Sequence, residues 1–188
     1  MVHLKRKMAL FFALLLLTGC SGKNQELQRA MDIRTAMQGK TARFSADITA
    51  DYGDMCYTFS MDCECAPDGA LSFTVTAPDT ISGIKGSVSA AGGELRFEEL
   101  ALAFESMAEG RISPISAPWV MTKALRSGYL TACANEDSLL RISVDDSFAD
   151  NALKMDIWVD DEDCPVRAEI LWEGRRLLTI LVKDFVLS

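Results

Sequence analysis

The sequence predicts an α+β protein that is mostly β, with one antiparallel sheet and two or so helices. Apolar and polar residues alternate through most of residues 43–76 and 140–185, which is typical of strands with one buried face and one wet face. Roughly nine or ten strands each present about three to five apolar residues on one side. Two helices cannot cover that surface on a flat sheet. The sheet should therefore curve into a barrel or half-barrel, or fold into a sandwich.

The N-terminus has the layout of an export signal. Three basic residues at 5–7 precede an apolar run at 8–17, and the run ends in Leu-Thr-Gly-Cys at 17–20. This tetrapeptide resembles the lipobox of bacterial lipoproteins, which implies cleavage after residue 19 and lipidation of Cys20 with diacylglycerol and palmitate. The alternative is a transmembrane helix, but a span needs about 20 apolar residues and this run is shorter. We expect a signal peptide over 1–19 and a single domain over 20–188.

A first helix is predicted over residues 24–38, with Asn24 as a possible cap and Gly39 as a stop. Its apolar stripe consists of Leu27, Ala30, Met31, Ile33 and Met37. The period then changes to two, and strands are predicted over 43–52, 57–65 and 71–76. Turns at 53–54 and 67–69 join them into an antiparallel meander.

A weak strand is predicted around 86–90 and another around 100–104. A central helix begins near Pro118, which suits a first helical turn, and ends at Gly128. Strands around 140–144, 153–159, 166–172 and 175–185 complete the chain. The acidic run at 160–163 is interpreted as a solvated turn, because it lacks the alternation of an EF-hand calcium loop.

Charge and histidine content exclude several function classes. The net charge is −8, and removal of residues 1–19 takes away three further positive charges, so nucleic acid is not an expected partner. Adhesion to anionic headgroups is likewise disfavoured, which leaves anchoring to the lipid on Cys20. The only histidine, His3, lies in the predicted signal peptide. Ser-His-Asp and Cys-His catalysis and His-ligated metal sites are therefore not expected. The chain is predicted to be no enzyme, with no cofactor.

Apart from Cys20, the sequence has five cysteines, and because this number is odd they cannot all form disulfides within one chain. Cys63 and Cys65 are two residues apart on one face of a strand, separated by about twice the 3.3 Å rise. A disulfide needs Cβ atoms about 3.8 Å apart, so this pair should not bridge. The cysteines are interpreted as small buried hydrophobes, with a zinc site at Cys63 and Cys65 as the alternative.

The three tryptophans differ in whether they fall on the apolar or the polar face of their predicted element. Trp119 and Trp172 fall on apolar faces and are predicted to lie in the core. Trp158 alternates with the apolar residues of its strand and so falls on the polar face, where it is predicted to be exposed. An exposed tryptophan there would mark a partner surface or cover a neighbouring residue.

The order of these elements resembles the LolA/LolB-like superfamily of lipoprotein carriers. The match is carried mainly by residues 73–84, with Phe73, Val75, Pro78, Ile81 and Gly83-Ile84, and by Pro-Val-Arg-Ala-Glu-Ile at 165–170. The resemblance implies an incomplete antiparallel barrel wrapped over helices, with an apolar interior that receives lipid. Soluble carriers of this superfamily have no lipid anchor, so the anchor predicted at Cys20 favours a fixed receptor or binder.

The expected function is thus a membrane-anchored extracytoplasmic lipoprotein, in the cell membrane or outer membrane, that binds lipid or lipoprotein acyl chains. The predicted lining is Phe73, Val75, Ile81, Ile84, Phe97, Leu102, Phe104 and Ile157. A filled core explains each of these positions equally well. The alternative function follows the example of a germination lipoprotein of the same superfamily and is that of a non-catalytic interaction protein. It would dock an envelope or sporulation partner such as a cell-wall amidase.

Overall fold

The computed structural model of the protein describes residues 22–91, 94–95 and 107–188. These ranges contain the α-helices α1 (Gly22–Met37) and α2 (Ala117–Ser127), the latter preceded by a 3₁₀ turn at Pro114–Ser116. None of the helices in these ranges is long and apolar enough to cross a membrane. The predicted strand at 100–104 lies outside the described residues.

The strands are β1 (Ala42–Asp51), β2 (Cys56–Cys65), β3 (Leu71–Ala77), β4 (Lys85–Val88), β5 (Ala90–Ala91), β6 (Glu94–Leu95), β7 (Tyr129–Glu136), β8 (Leu139–Asp145), β9 (Lys154–Val159), β10 (Pro165–Trp172) and β11 (Arg175–Leu187). Nine of them form one antiparallel sheet in the order β4-β3-β2-β1-β11-β10-β9-β8-β7, and β5 pairs with β6. The sheet is not closed, because β4 and β7 are its two edges. This confirms the prediction of a mostly β, open barrel-like sheet with two helices.

The alternation of β1–β3 follows the predicted parity. In β1, every second residue from Ala42 to Ala50 is buried, and the residues between them are exposed or half-exposed. Gly53 makes the turn to β2 with φ +102°, and its amide donates to Asp51 Oδ1 at 2.7 Å. Tyr57 is a departure from the prediction, since it is 47% exposed at the turn end of β2.

Helix α1 begins at Gly22, so Asn24 lies inside it rather than capping it. Gly39 ends it with φ +70°, as predicted. Only the narrower stripe of Ala30, Ile33 and Met37 is buried. Leu27 and Met31, the rest of the predicted stripe, remain 46% and 42% exposed because they lie on the flank of the helix that no described element covers.

Strand β7 is an element that periodicity misses. The segment YLTACANE forms the edge strand next to β8, with a bulge between Leu130 and Ala132. It contains no fully buried residue, because an edge strand with a bulge exposes parts of both faces. The alternating pattern on which strand prediction depends is therefore absent.

Candidate functional site

The apolar face of the sheet is covered by the two helices. Helix α1 contributes the buried side chains of Ala30, Ile33 and Met37, and α2 packs mainly against β2, β8, β9 and β11. Trp119, Met121 and Leu125 of α2 join the same hydrophobic cluster as the inward-facing strand residues. The described interior is thus occupied by side chains over most of the sheet.

The predicted lining residues that the structure describes belong to this one cluster, but they come from distant parts of the sheet. Phe73 and Val75 on β3 and Ile157 on β9 are buried, and β3 and β9 are five positions apart in the strand order. Ile81 and Ile84, in the loop between β3 and β4, are half-buried and pack against the cluster. Phe97, Leu102, Phe104 and the predicted lipidation site Cys20 lie outside the described residues.

The loop that carries Ile81 and Ile84 is hydrogen-bonded to β3. The Val75 amide donates to Ile84 O and the Gly83 amide donates to Val75 O, both at 2.8 Å. The Phe73 ring lies directly over Gly86 of β4, where a Cβ would come within 2.5 Å of the ring. Glycine at position 86 therefore makes room for Phe73 at this edge of the sheet.

Arg34 joins the two helices. Its guanidinium donates to the carbonyl oxygens of Ala124, Leu125 and Gly128, at 3.2, 2.9 and 2.9 Å, where α2 ends. Ala124 O also accepts the Gly128 amide at 2.9 Å, and the negative end of the helix dipole favours a cation beside these carbonyls. Desolvation by burial lowers the pKa of Arg34 from its ordinary value, and the nearby Cys133 opposes that change.

Two polar contacts hold the start of α1 against the end of the sheet where β9 turns into β10. Arg29 donates to Asp163 Oδ1 at 2.8 Å and to the Asp160 carbonyl. Glu26 accepts a hydrogen bond from Asn135 of β7 at 3.0 Å. The acidic run at 160–163 is a turn in which Asp160 caps its own backbone, and residue 163 serves as an attachment point for α1.

A cleft of about 490 Å³ opens between α2 and the β2–β3 turn. The helix contributes Trp119, Thr122, Lys123 and Arg126, and the turn contributes residues 67–70. The spacing of 119, 123 and 126 places these three on one helix face. The helical spacing of these three residues can be read from the sequence. The position of the β2–β3 turn opposite them depends on the tertiary fold.

The groove on the polar side of β1–β4 is larger, about 770 Å³; Lys85 and Asp184 contribute to its lining, and other polar residues of the lining are paired across strands. Arg43 forms an ion pair with Glu64 at 2.8 Å, and Ser45 donates to Asp62 at 2.7 Å. These cross-strand contacts account for the residue types without a ligand.

The observed burial agrees with the prediction for two of the tryptophans and corrects it for the third. Trp119 is buried and donates through Nε1 to Gly69 O at 2.9 Å, and Trp172 is half-buried against the core. Trp158, predicted to be exposed, is only 7% exposed. It does lie on the polar face, but the guanidinium of Arg167 covers its ring at 4.7 Å from the centroid.

The five described cysteines are free. Cys63 and Cys65 are buried, which confirms their interpretation as small hydrophobes, and burial raises the pKa of Cys63. Cys56 is exposed, contrary to the prediction, because it lies at the turn end of β2 beyond the covered part of the sheet. Burial also raises the pKa of Cys133 and Cys164, which are half-buried. Within the described ranges, no three His, Cys, Asp or Glu side chains are grouped as a metal site would require.

No family model matches the chain, and no curated protein matches it. Solved structures to which it is similar include LprF from Mycobacterium bovis, with 12% identity, a TM-score of 0.42 and coverage of 86% of this chain and 93% of that one. The LolA superfamily protein NE2245 from Nitrosomonas europaea has 7% identity, a TM-score of 0.38 and coverage of 90% and 94%. The MucA/MucB complex from Pseudomonas aeruginosa has 14% identity, a TM-score of 0.38 and coverage of 89% and 58%. These similarities agree with the LolA-like resemblance of the sequence.

Proposed function

We propose that the protein is a membrane-anchored extracytoplasmic lipoprotein that binds acyl chains of a lipid or lipoprotein on the apolar face of its open sheet. The observation that supports this most directly is the architecture: nine strands present one apolar face, and neither edge of the sheet is closed. An open apolar sheet with helices on it can admit a chain between the two layers. No catalytic step is part of the proposal.

The part of the sheet proposed to receive the chain is β3 and β4. Among the strands, helix α2 packs mainly on β2, β8, β9 and β11, and the half-buried Ile81 and Ile84 of the β3–β4 loop pack against the hydrophobic cluster to which β3 contributes. A loop anchored by two backbone hydrogen bonds moves at lower cost than a packed helix. The residues proposed to contact the acyl chain are Phe73, Val75, Ile81 and Ile84, together with Phe97, Leu102 and Phe104; Ile157 lies farther along the same face.

The acyl-binding proposal is tested by recovering the protein from bacterial cells and measuring bound lipid by native mass spectrometry. Ile84→Asn should reduce the lipid-bound fraction several-fold, because a buried amide in an apolar site costs about 1–3 kcal/mol. Leu181→Asn is the matched control, since Leu181 is 46% exposed on the other side of the sheet. A protein that carries no lipid and titrates with none would contradict the proposal.

The anchor is tested separately at Cys20. Metabolic labelling with palmitate should modify the full chain and should be abolished by Cys20→Ala, with the protein moving from the membrane to the soluble extracytoplasmic fraction. Two or three acyl chains give stable attachment at roughly 0.8 kcal/mol per buried CH₂ group. Labelling that survives Cys20→Ala would refute the assignment of the site.

A second candidate function, docking of an envelope protein, is favoured by exposed apolar side chains at the end of the sheet opposite the β2–β3 turn. Met55 and Tyr57 are 53% and 47% exposed at the β1–β2 turn, and Phe148 in the β8–β9 loop is 85% exposed. Aromatic and methionine side chains are enriched at protein interfaces. A cleft of about 360 Å³ at the same end contains Trp172, whose indole N–H is buried and has no hydrogen-bond partner among the described residues.

This second candidate is tested by crosslinking in cells that express the full chain. Phe148→Ser combined with Met55→Ser should abolish a specific adduct, whereas Leu27→Ser on α1 should not. A cell-wall amidase or another sporulation or germination protein is the partner class to examine first. An adduct pattern unaffected by the double substitution would argue against docking at this end.

A further inference from the structure

We propose that the cleft between α2 and the β2–β3 turn binds the anionic headgroup, phosphate or carboxylate, of an amphiphile whose acyl chain occupies the neighbouring apolar interior. This inference rests on the proposed acyl-binding function and specifies the ligand class. The cleft has a volume of about 490 Å³, within the usual range for a small-molecule site of about 300–1,000 Å³.

Two cations line this cleft without carboxylate partners. Most of the described arginines form ion pairs with carboxylates, but Arg126 donates only to backbone carbonyls, Ala66 O at 2.6 Å and Lys40 O at 2.7 Å. Its Nε is buried and has no acceptor among the described residues. Lys123 lies over the Trp119 ring, 5.0 Å from its centroid, and also has no carboxylate within ion-pair distance in the described ranges.

The cleft also contains one acidic residue, Asp68. Its Oδ1 accepts a hydrogen bond from the Ala70 amide at 2.9 Å and so completes the β2–β3 turn. Two cations against one carboxylate leave a net positive charge in the lining of the cleft, within a chain of net charge −8. Such a site attracts an anion, and a guanidinium suits a phosphate or carboxylate in particular.

The cleft borders the apolar core. Cys65, which is 1% exposed, and Thr122, which is fully buried, both line it. Cys65 belongs to the core cluster and is paired across the sheet with Leu71 of β3. An amphiphile seated with its anion at Lys123 and Arg126 would therefore direct its chain toward β3, the strand that carries Phe73 and Val75.

The test uses the full chain carrying Cys20→Ala, so that it bears no acyl group of its own at that site. Binding of dodecyl phosphate, dodecanol and inorganic phosphate is measured by calorimetry, with each amphiphile below its micellar concentration. We expect dodecyl phosphate to bind about tenfold more tightly than dodecanol at low ionic strength. Added salt should reduce this difference in affinity. Inorganic phosphate alone should bind far more weakly than dodecyl phosphate.

Lys123→Gln should reduce the preference for dodecyl phosphate to about threefold or less, without changing dodecanol binding. Lys123 is the position of choice because it is exposed and donates to no backbone carbonyl in the described part of the chain. Lys154→Gln is the matched control, an exposed lysine on β9 outside the cleft. Arg126→Lys, which retains the charge, should keep more of the preference than Arg126→Gln, and Arg111→Gln controls for loss of an arginine bonded to a backbone carbonyl.

The outcomes separate this inference from the proposed function. Equal affinities for dodecyl phosphate and dodecanol, or equal effects of Lys123→Gln and Lys154→Gln, would overturn the headgroup site and leave acyl binding intact. Phosphate binding as tight as that of dodecyl phosphate would show an anion site with no role for a chain, and would overturn the inference. Failure of both amphiphiles to bind would refute the proposed function and this inference together.

Discussion

Arg34 of α1 donates from Nε to the carbonyl oxygen of Leu125 in the last turn of α2, at 2.9 Å. Two further bonds, to Ala124 O and Gly128 O, make this one side chain the cap of the helix that covers the sheet. A hydrogen bond from a charged donor contributes about 1.5–3 kcal/mol to stability, and the contributions of several such bonds from one side chain do not simply add.

We therefore expect Arg34→Met to lower the free energy of unfolding by about 2–3 kcal/mol, measured by urea denaturation. Arg34→Lys should recover part of this loss, because the lysine keeps the charge but cannot contact three carbonyls. Arg111→Met, which removes a single bond to Asn151 O from an exposed arginine, should change stability by less than about 0.5 kcal/mol. Equal losses in the Arg34 and Arg111 variants would show that the cap does not stabilise α2.

Gly128 is required by the close approach of α2 to β8. A Cβ at this position would lie 2.2 Å from Val144 Cγ1 and 2.9 Å from Ala124 O. Gly128→Ala should destabilise the protein by about 2–3 kcal/mol through this overlap. Combining it with Val144→Ala should cost less than the sum of the two single substitutions, because the smaller side chain removes one clash. Strict additivity in thermal and urea unfolding would contradict the contact.

Asp47 on β1 accepts hydrogen bonds from Lys183 Nζ at 2.6 Å and Ser60 Oγ at 2.7 Å, and these bonds lower the pKa of Asp47 from its usual 3.8. A depressed carboxyl pKa stabilises the fold above the unfolded value, and that stabilisation is lost as pH falls through the folded value. The stability difference between the wild type and Asp47→Asn should be constant near neutral pH, decrease as pH falls through 3.8 and disappear below the lower pKa of the folded state. A stability difference that stays constant throughout this acid range would contradict the role of the two hydrogen bonds.

The cysteines should differ in their reactivity toward iodoacetamide. In the chain carrying Cys20→Ala, Cys56 is exposed, whereas Cys63 and Cys65 are buried and burial raises the pKa of Cys63. Because the thiolate is the reactive species, Cys56 should be alkylated about tenfold or more faster than Cys63. Peptide mass spectrometry would give the rates, and labelling in denaturant should make them converge. Rapid native alkylation of Cys63 would contradict the packing of β2.

The strands with one covered face were predictable, and the edge strand β7 was not. In β1–β3 the alternation of residues matches the alternation of burial, because helices and loops cover one side and water the other. Strand β7 escaped prediction because it has no buried member. The helix stop at Gly39 was readable because glycine readily adopts the positive φ found there. Gly128 also ends its helix as predicted, but with φ −68°, so glycine is required there by the contact with Val144 and not by a positive φ.

The candidate site was less predictable than the fold. Alternation gave the inward direction of Phe73 and Val75, but it could not distinguish a packed core from a binding surface. The cleft depends on a turn brought against α2 by sheet pairing, which is a relationship between residues 67–70 and 119–126 that no local pattern contains. The helical spacing of Trp119, Lys123 and Arg126 was the available signal.

For Trp158, the alternation of apolar and polar residues predicted the correct face of the sheet but not the burial of the side chain. Its side chain is on the polar face, as the alternation indicates, but Arg167 on the neighbouring strand lies over the ring at 4.7 Å from the centroid. Glu169 holds Arg167 in an ion pair and also contacts Arg176 Nη1 at 2.7 Å. The aliphatic stem of an arginine can cover apolar surface while its head remains solvated.

Arg167→Ala should therefore expose Trp158, shift the tryptophan emission to longer wavelength and lower stability by about 1 kcal/mol. Trp119 and Trp172 are common to both proteins, so the difference spectrum isolates the change at Trp158. Arg43→Ala is the matched control, because Arg43 lies on the same polar face with a carboxylate partner, Glu64, but covers no tryptophan. An emission shift in the Arg43 variant equal to that in the Arg167 variant would mean that loss of surface charge, rather than loss of the stacked guanidinium, changes the environment of Trp158.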